Sequence, residues 1–178
     1  MLHAATYATA TPDEVRRRAS ALCSMAVLDT APEEAFDALT RLAANVCSTP
    51  IAIVSLIDGE RLWFKSTFGL DATTIDSARS FCVEAANSRR LLDVPNARRD
   101  LRFHANPLVS SELGIRHYAG APILHDGVGI GTVCVLDIAP RAQTAAALNA
   151  LTEMATIAGV LLGSRIDGFR LPAMSRRH

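Results

Sequence analysis

Cysteine is the residue type with the clearest chemical potential in this chain, which contains Cys23, Cys47, Cys82 and Cys134. No two of them form a Cys-x-x-Cys pair, so the spacing indicates neither a zinc site nor a disulfide framework and is typical of a reducing cytoplasm. Ser80 predicts a helix start that places Cys82 in the first turn, where the helix dipole lowers a thiol pKa. The alternative is that Cys82 is a small buried apolar side chain.

A second group of residues could bind a polar ligand. Arg116 and Tyr118 occupy alternate positions of a predicted strand and therefore share one face. The guanidinium suits a carboxylate or a phosphate, and the phenol offers a hydroxyl on an apolar ring. A buried arginine also requires a partner, and Asp93 or Asp100 could supply it instead of a ligand.

The charged, irregular stretch over residues 96–106 could form a lid over such a ligand. Its polar candidates are Asp100, Arg102 and Asn106, because binding residues concentrate on loops that a rigid scaffold positions. In the alternative interpretation the loop charges pair with one another, and Asn106 only caps a short helix that begins at Pro107.

Trp63 and Phe64 are neighbours on a predicted strand, so their rings point to opposite faces. One ring is expected in the core, and the other is available to line a pocket. The chain shows no Ser/His/Asp arrangement, no HExxH motif and no phosphate-binding glycine loop, since Gly127, Gly129 and Gly131 lie in a predicted hairpin. We therefore expect no catalytic residue of these classes and no metal site.

Apolar periodicity and turn signals predict the elements that position these residues. Helices are predicted to begin at Thr11 and at Thr30, the second with a Thr-x-x-Glu capping box. The other predicted elements are strands over 51–57, 62–68, 91–94, 115–124 and 129–137, helices over 81–89, 107–113 and 144–165, and a polar loop over 69–78. Because the strands meet mainly through hairpins, the pattern indicates an antiparallel sheet with helices on its faces, an α+β class.

Composition excludes several classes of function. The 178 residues suit one domain, and 49% of them are hydrophobic, which argues against disorder. The formal net charge is +0, so no general field attracts nucleic acid or anionic lipid. No segment resembles a secretory signal, and no apolar run approaches the roughly 18 residues that span a bilayer. We expect a cytoplasmic protein without a nucleic-acid or membrane partner.

Ordered motifs along the chain resemble those of the GAF domain of bacterial signalling proteins. They extend over roughly residues 14–159. The matching segments are Leu28-Asp29-Thr30, Pro32-Glu33, Phe36-Asp37, Ile53-Val54-Ser55-Leu56-Ile57-Asp58, Arg61, Trp63-Phe64-Lys65, Gly69-Leu70, Arg79-Ser80-Phe81-Cys82, Asp100, Arg102-Phe103, Asn106-Pro107-Leu108-Val109, Ile115-Arg116, Tyr118-Ala119-Gly120, Gly131-Thr132, Cys134-Val135 and Asp137.

The resemblance implies a six-stranded antiparallel sheet with helices on both faces, in which the terminal helices share one face and a small-molecule pocket lies on the other. We expect the GAF domain over residues 13–166, between flexible arms over 1–12 and 167–178. The expected ligand-binding residues are Trp63, Phe81, Cys82, Asp100, Arg102, Asn106, Leu108, Arg116, Tyr118 and Cys134.

The implied function is the non-catalytic sensing of a small molecule in signal transduction. The sequence shows no output module, so we expect the domain to act through a homodimer formed by its terminal helices or through a partner protein. The sequence identifies neither the ligand nor a cofactor. One alternative is a thiol enzyme of the free methionine-(R)-sulfoxide reductase type, for which Cys82 and Cys134 are the available attacking and resolving cysteines. Another is covalent attachment of a bilin or haem.

Overall fold

The computed structural model describes residues 8–77 and 80–166, in which six strands form one antiparallel sheet. The strands are β1 (Ile51–Asp58), β2 (Arg61–Phe68), β3 (Thr74–Asp76), β4 (Leu92–Val94), β5 (His117–His125) and β6 (Val128–Asp137). Their order across the sheet is β3-β2-β1-β6-β5-β4, which puts β1 and β6 at the centre. The predicted α+β class and antiparallel sheet are confirmed.

Helices cover both faces of this sheet. The helices of the described residues are α1 (Pro12–Met25), α2 (Glu34–Cys47), α3 (Phe81–Ser88), α4 (Pro107–Ser110) and α5 (Ala145–Gly163). The buried residues of α1, α2 and α5 share one apolar cluster, and those of α3 and α4 share another. We call the side of α1, α2 and α5 the helical face and the side of α3 and α4 the site face.

The central strands are buried on both faces. In β1, Ala52 and Val54 belong to the cluster of the helical face, whereas Ile51 and Ile53 belong to that of the site face. Successive side chains of a strand point to opposite sides, so each cluster receives every second residue. Burial on both sides explains why these strands are apolar at nearly every position.

The turn between β5 and β6 sets the register of the central hairpin. Asp126 and Gly127 have φ values of 48° and 74°, and a type I′ turn requires positive φ at both of its central residues. The strands pair from His117 opposite Asp137 to His125 opposite Val128. The hairpin predicted from the Asp-Gly signal is present.

The helix starts agree with the sequence at Thr11 and differ at Thr30. Thr11 caps α1 through a complete capping box, as its hydroxyl and the following proline predicted. The predicted start at Thr30 is wrong, because α2 begins at Glu34 without a side-chain cap. The Thr30 hydroxyl instead donates to the carbonyl of Val27 (2.6 Å) and accepts from the Lys65 ammonium (2.8 Å).

Two further segments differ from or extend the predicted pattern. The stretch predicted as a polar loop contains β3, which pairs with the edge of β2. The arms predicted over 1–12 and 167–178 lie largely outside the described residues. At the described end of the first arm, the Ala8 backbone donates to Glu84 Oε2 (2.6 Å) and accepts from Asn87 Nδ2 (2.9 Å).

By length and composition, α5 is the one helix of the described residues that could cross a membrane, with a mean hydropathy of 1.5. Asn149 and Glu153 interrupt its apolar residues, so the sequence has no continuous apolar run of that length here. In the fold α5 packs on β5, β6 and α2, and Leu151 and Leu162 are buried there. It therefore packs on this sheet along one side, with 33% of its apolar stretch buried.

An ion-pair network joins α1, α5 and β2 on the helical face. Lys65 Nζ lies 2.6 Å from Glu33 Oε1, and the lysine side chain is fully buried. Glu33 Oε1 also accepts from Arg165 Nη1 at 2.8 Å. The same guanidinium donates to the carbonyls of Met25 (2.9 Å) and Ala26 (3.1 Å) at the end of α1.

Replacing Glu33 by Gln should destabilise the domain, because the buried Lys65 ammonium loses its counter-charge. We expect a loss of about 2 kcal/mol in the free energy of unfolding, less than for a fully buried pair because Glu33 is partly exposed. Urea denaturation at pH 7 measures it. The matched control is Glu34→Gln, whose exposed pair with Arg41 should contribute under about 0.5 kcal/mol.

The effect should depend on pH in a defined direction. Burial opposes ionisation of Glu33, but Lys65 and Arg165 together hold its pKa below the ordinary 4.5. The stabilisation is therefore complete above pH 4.5 and is lost as the pH falls through the lowered pKa. Equal stability of wild type and Glu33→Gln at pH 7 would contradict the prediction.

Candidate functional site

The site face brings together four of the predicted ligand-binding residues. Phe81 and Cys82 form the first turn of α3, Tyr118 lies in β5 and Cys134 lies in β6, and all four are buried. The Ser80 hydroxyl caps α3 by accepting from the Cys82 backbone N–H at 3.1 Å. The predicted position of Cys82 in a first helical turn is therefore observed.

Three aromatic rings fill the space above the sheet at this point. The Phe81 ring stacks on Tyr118 with 4.9 Å between centroids, and Phe103 packs on Phe81 at 4.3 Å. Each ring is at most 1% exposed. The pocket that the resemblance implied here is thus occupied by side chains of the domain itself.

The two thiols of the site lie side by side beneath these rings. The sulfur atoms of Cys82 and Cys134 are 3.8 Å apart. Hydrogen bonding from Cys134 lowers the pKa of Cys82, which the helix N-terminus also favours. The same contact and burial raise the pKa of Cys134 well above its ordinary value. The pair therefore releases one proton readily and keeps the second.

The Tyr118 hydroxyl is a buried polar group at the same place. The residue is 0% exposed, and its oxygen makes no hydrogen bond of good geometry within the described structure, although the Cys82 and Thr132 side chains lie close enough to interact with it. Burial raises its pKa well above 10, so the phenol stays protonated. A Cβ on Gly120 would lie 2.2 Å from this oxygen and 2.9 Å from the Cβ of Cys134. Glycine at position 120 therefore provides the room that the phenol occupies.

Residues 96–109, which we call the lid segment, cover the rings from outside. Asp100 and Arg102 form a bidentate ion pair with distances of 2.7 and 3.0 Å. Hydrogen bonds from the Arg102 side chain hold the pKa of Asp100 below its usual range. Asn106 caps α4 by accepting from the Leu108 backbone N–H at 2.9 Å. These contacts match the interpretation in which the loop charges pair with one another.

Arg116 follows the lid segment and lies just before β5. Its Nη1 donates to the carbonyl oxygens of Val109 (3.0 Å) and Ile115 (3.1 Å). Among the described residues no carboxylate pairs with this guanidinium, so neither Asp93 nor Asp100 is the partner that the sequence suggested. Arg116 is half-buried, so a positive charge without a counter-charge lies beside the lid.

Trp63 lies on the opposite side of the sheet from the rest of the predicted set. Its ring belongs to the cluster of the helical face, 5.8 Å from the Lys65 ammonium, whereas Phe64 belongs to the site face. A bulge where β2 pairs with Val54 and Ser55 shifts the alternation of β2 by one residue. Trp63 therefore does not border the thiols or the stacked rings.

The site also contains residues that the predicted set left out. Phe103 supplies the outer ring of the stack, and its position in a charged loop gave no periodic signal. Ser55 and Thr132 are buried opposite each other on β1 and β6, with 2.9 Å between their hydroxyl oxygens. Two hydroxyls within otherwise apolar strands were the available signal for the polar lining beneath the thiols.

A comparison with known families assigns this architecture. A family model described as GAF domain matches residues 31–162. The chain belongs to the GAF domain family. The match includes the whole sheet, the cluster of the site face and the lid segment of this GAF domain, and it begins after α1, so Leu22, Met25 and Val27 of the other cluster lie outside it.

One relative is a much longer protein than this chain. A cyclic di-GMP phosphodiesterase from Pseudomonas aeruginosa is 34% identical over 135 residues, which make up 75% of this chain and 23% of that protein. The chain thus spans about a quarter of the length of this relative.

Two solved structures show the same fold. The GAF domain of a phosphoenolpyruvate-protein phosphotransferase from Acinetobacter gives a TM-score of 0.61 at 16% identity, covering 88% of this chain and 92% of that one. A free methionine-R-sulfoxide reductase from Neisseria meningitidis, solved with its substrate, gives 0.58 at 18% identity, covering 93% and 96%. Identities this low show the fold alone.

Replacing Tyr118 by Phe should stabilise this GAF domain. The change removes a buried hydroxyl that lacks a hydrogen bond and keeps the ring stack, so the free energy of unfolding should rise by about 1 kcal/mol. Gly120→Ala should instead lower the free energy of unfolding by about 3 kcal/mol, because the added Cβ overlaps the phenol of Tyr118. Urea denaturation measures both. A Tyr118→Phe variant less stable than wild type would mean that the hydroxyl has a partner in solution.

Proposed function

We propose that this GAF domain is a regulatory, non-catalytic module of bacterial signal transduction that binds a small molecule on its site face. Family membership and the identity to part of a cyclic di-GMP phosphodiesterase support the signalling role. The aligned region is 23% of that protein, which favours a regulatory module over the phosphodiesterase activity itself. The four free cysteines support a cytoplasmic location.

The observation that carries the ligand proposal is the position of the Phe103 ring. It is the part of the lid segment that enters the site, where it packs on Phe81. When the lid segment swings outward, Phe103 leaves with it and vacates the volume of one aromatic ring. The stacked rings then describe a closed state without ligand, and a ligand that replaces Phe103 selects the open state.

The hydrogen bonds of the lid segment suit such a movement. Its backbone joins the rest of the domain at the two ends, where Ala97 N–H donates to Arg116 (2.6 Å) and Leu108 accepts from Ile115 (2.9 Å). Between these ends Phe103 N–H donates to the carbonyl of Asp100 within the segment. The backbone in the middle of the lid segment is thus held by hydrogen bonds within the segment itself.

The charge on Arg116 favours a ligand with an anionic group. Its guanidinium already donates to backbone carbonyls on one side and has further N–H groups for a carboxylate or phosphate. The Tyr118 hydroxyl offers a second polar contact deeper in the site. A small anion with an aromatic or apolar body fits this combination.

Native mass spectrometry of gently purified protein tests the ligand proposal. We expect wild-type protein to carry a bound small molecule, and Arg116→Ala to lose it through at least a roughly tenfold weaker affinity. The matched control Arg90→Ala removes an exposed arginine away from the lid and should keep the ligand. Wild-type protein without added mass, or full retention in Arg116→Ala, would contradict the proposal.

We also infer that the domain forms a homodimer through α2 and α5. These helices pack together and expose apolar side chains, with Leu42 49% exposed on α2 and Val160 68% exposed on α5. Val46 and Ile157 extend the same two surfaces. Burial of these side chains against a second copy removes apolar area from water, which favours association. A dimer of this kind joins the C-terminal helix α5 and its neighbour α2 to those of a second sensor.

Analytical ultracentrifugation at micromolar concentration tests the dimer. We expect wild type to sediment as a dimer and Val160→Glu to raise the dissociation constant at least about tenfold, since it buries a charge in the interface. Leu101→Glu, the same kind of change at an exposed leucine of the lid segment, should leave the dimer intact. A monomeric wild type would exclude this arrangement.

One observation favours a second candidate function. The 3.8 Å separation of Cys82 and Cys134 suits an attacking and a resolving thiol, and the Neisseria reductase has the same fold. Turnover of free methionine-(R)-sulfoxide with thioredoxin as reductant separates a reductase from a regulatory domain, because the regulatory domain leaves this substrate unchanged.

A further inference from the structure

Cys82 and Cys134 form a close thiol pair in the centre of the site face. They are 52 residues apart in sequence, their sulfur atoms are 3.8 Å apart, and they are 7% and 0% exposed. A disulfide requires about 2.05 Å between the sulfur atoms. A closure of about 1.8 Å therefore separates the free pair from a covalent link.

We propose that Cys82 and Cys134 are a reversible peroxide-responsive site, in which a hydroperoxide converts the thiol pair into a disulfide. In the first step the Cys82 thiolate attacks one oxygen of the peroxide. With hydrogen peroxide, a sulfur–oxygen bond forms, the oxygen–oxygen bond breaks, and the leaving hydroxide takes the proton that the Cys82 thiol released, becoming water. The product is Cys82 sulfenic acid.

In the second step the Cys134 thiol attacks the Cys82 sulfur. The sulfur–sulfur bond forms, the sulfur–oxygen bond breaks, and the hydroxyl leaves as water with the proton from Cys134. The two thiols lose two electrons in total, and the peroxide gains them. A dithiol reductant of the thioredoxin class reverses the change by thiol–disulfide exchange. This chemistry does not require the ligand proposed above, although both sites use the Tyr118 hydroxyl.

The surroundings of the pair favour Cys82 as the attacking thiol. Cys82 lies at the N-terminus of α3, where backbone N–H groups stabilise a thiolate. Its pKa is lowered, while that of Cys134 is raised. Cys82 is also the more exposed residue of the two, at 7% against 0%, which favours it as the thiol that meets the oxidant.

The Tyr118 hydroxyl gives the site a donor for the reacting oxygen. Its oxygen is fully buried without a hydrogen bond in the described structure, and it lies beside Cys134 at Gly120. A phenol that stays protonated can donate to the peroxide oxygen and then to the sulfenate. The phenol already lies within interaction range of the Cys82 thiol, and the chemistry assigns a role to a polar group that the fold leaves without a well-formed hydrogen bond.

Oxidation also moves the ring stack. Cys134 is fixed in the middle of the sheet, with Ile53 and Gly120 as its neighbours on either side. The closure must therefore come mainly from the first turn of α3, which carries Phe81. Because Phe81 packs on both Tyr118 and Phe103, disulfide formation shifts the ring beneath the lid segment.

Peptide mapping of the intact chain tests the proposal directly. Treatment of reduced wild type with hydrogen peroxide, followed by non-reducing digestion, should give a Cys82–Cys134 peptide pair. The number of titratable thiols should fall from four to two and return to four with dithiothreitol. The melting temperature of the oxidised protein should rise on the order of 10 °C, because the link closes a long loop. Four remaining thiols, or links that involve Cys23 or Cys47, would overturn the proposal.

Variants separate the two steps. The double variant Cys23→Ser/Cys47→Ser is the matched control and should form the same disulfide as wild type. Cys134→Ser should stop at Cys82 sulfenic acid, which dimedone traps, and Tyr118→Phe should slow disulfide formation at least about tenfold. A Cys134→Ser protein that gives no dimedone adduct on Cys82 excludes the first step. If this variant does not fold, the wild-type peptide map decides.

Discussion

The burial of β1 and β6 on both faces is the constraint on which the rest of the structure depends. Their side chains alternate between two apolar clusters, so each face needs its own cover. The chain provides one cover from α1, α2 and α5 and the other from α3 and the lid segment. Close contact between the central strands adds to this constraint, since a Cβ on Gly131 would lie 1.9 Å from the Ser55 carbonyl. The site therefore lies on a rigid floor under a cover built from shorter segments.

Much of the fold could be predicted because its signals are local. The Asp126-Gly127 turn, the Thr11 cap and the Ser80 cap each depend on a few adjacent residues, and the structure shows all three. The start of α2 was misplaced because a distant residue, Lys65, takes the Thr30 hydroxyl. The strand β3 was missed because its three residues are too few to show a period.

The site was less predictable than the fold. The resemblance placed Phe81, Cys82, Tyr118 and Cys134 in one set, and the structure brings them together. Alternation places Trp63 and Phe64 on opposite faces of the sheet, but it does not say which of the two faces the helices α1, α2 and α5. The register of β2 against β1 decides this, because Trp63 lies opposite Leu56 of the helical face. The insertion of Phe103 depends on the path of an irregular loop, which no periodic pattern records.

The Arg165 contacts have a mechanical consequence for the domain. The guanidinium just past α5 binds the last carbonyls of α1 and, through Glu33, the buried ammonium of β2. A rotation of α5 about its axis therefore turns the end of α1 as well. Through Glu33, the same rotation also pulls on Lys65 in the sheet. The ends of the two terminal helices are therefore expected to move together. They meet the sheet at Lys65, beside Trp63 and on the face away from the thiols.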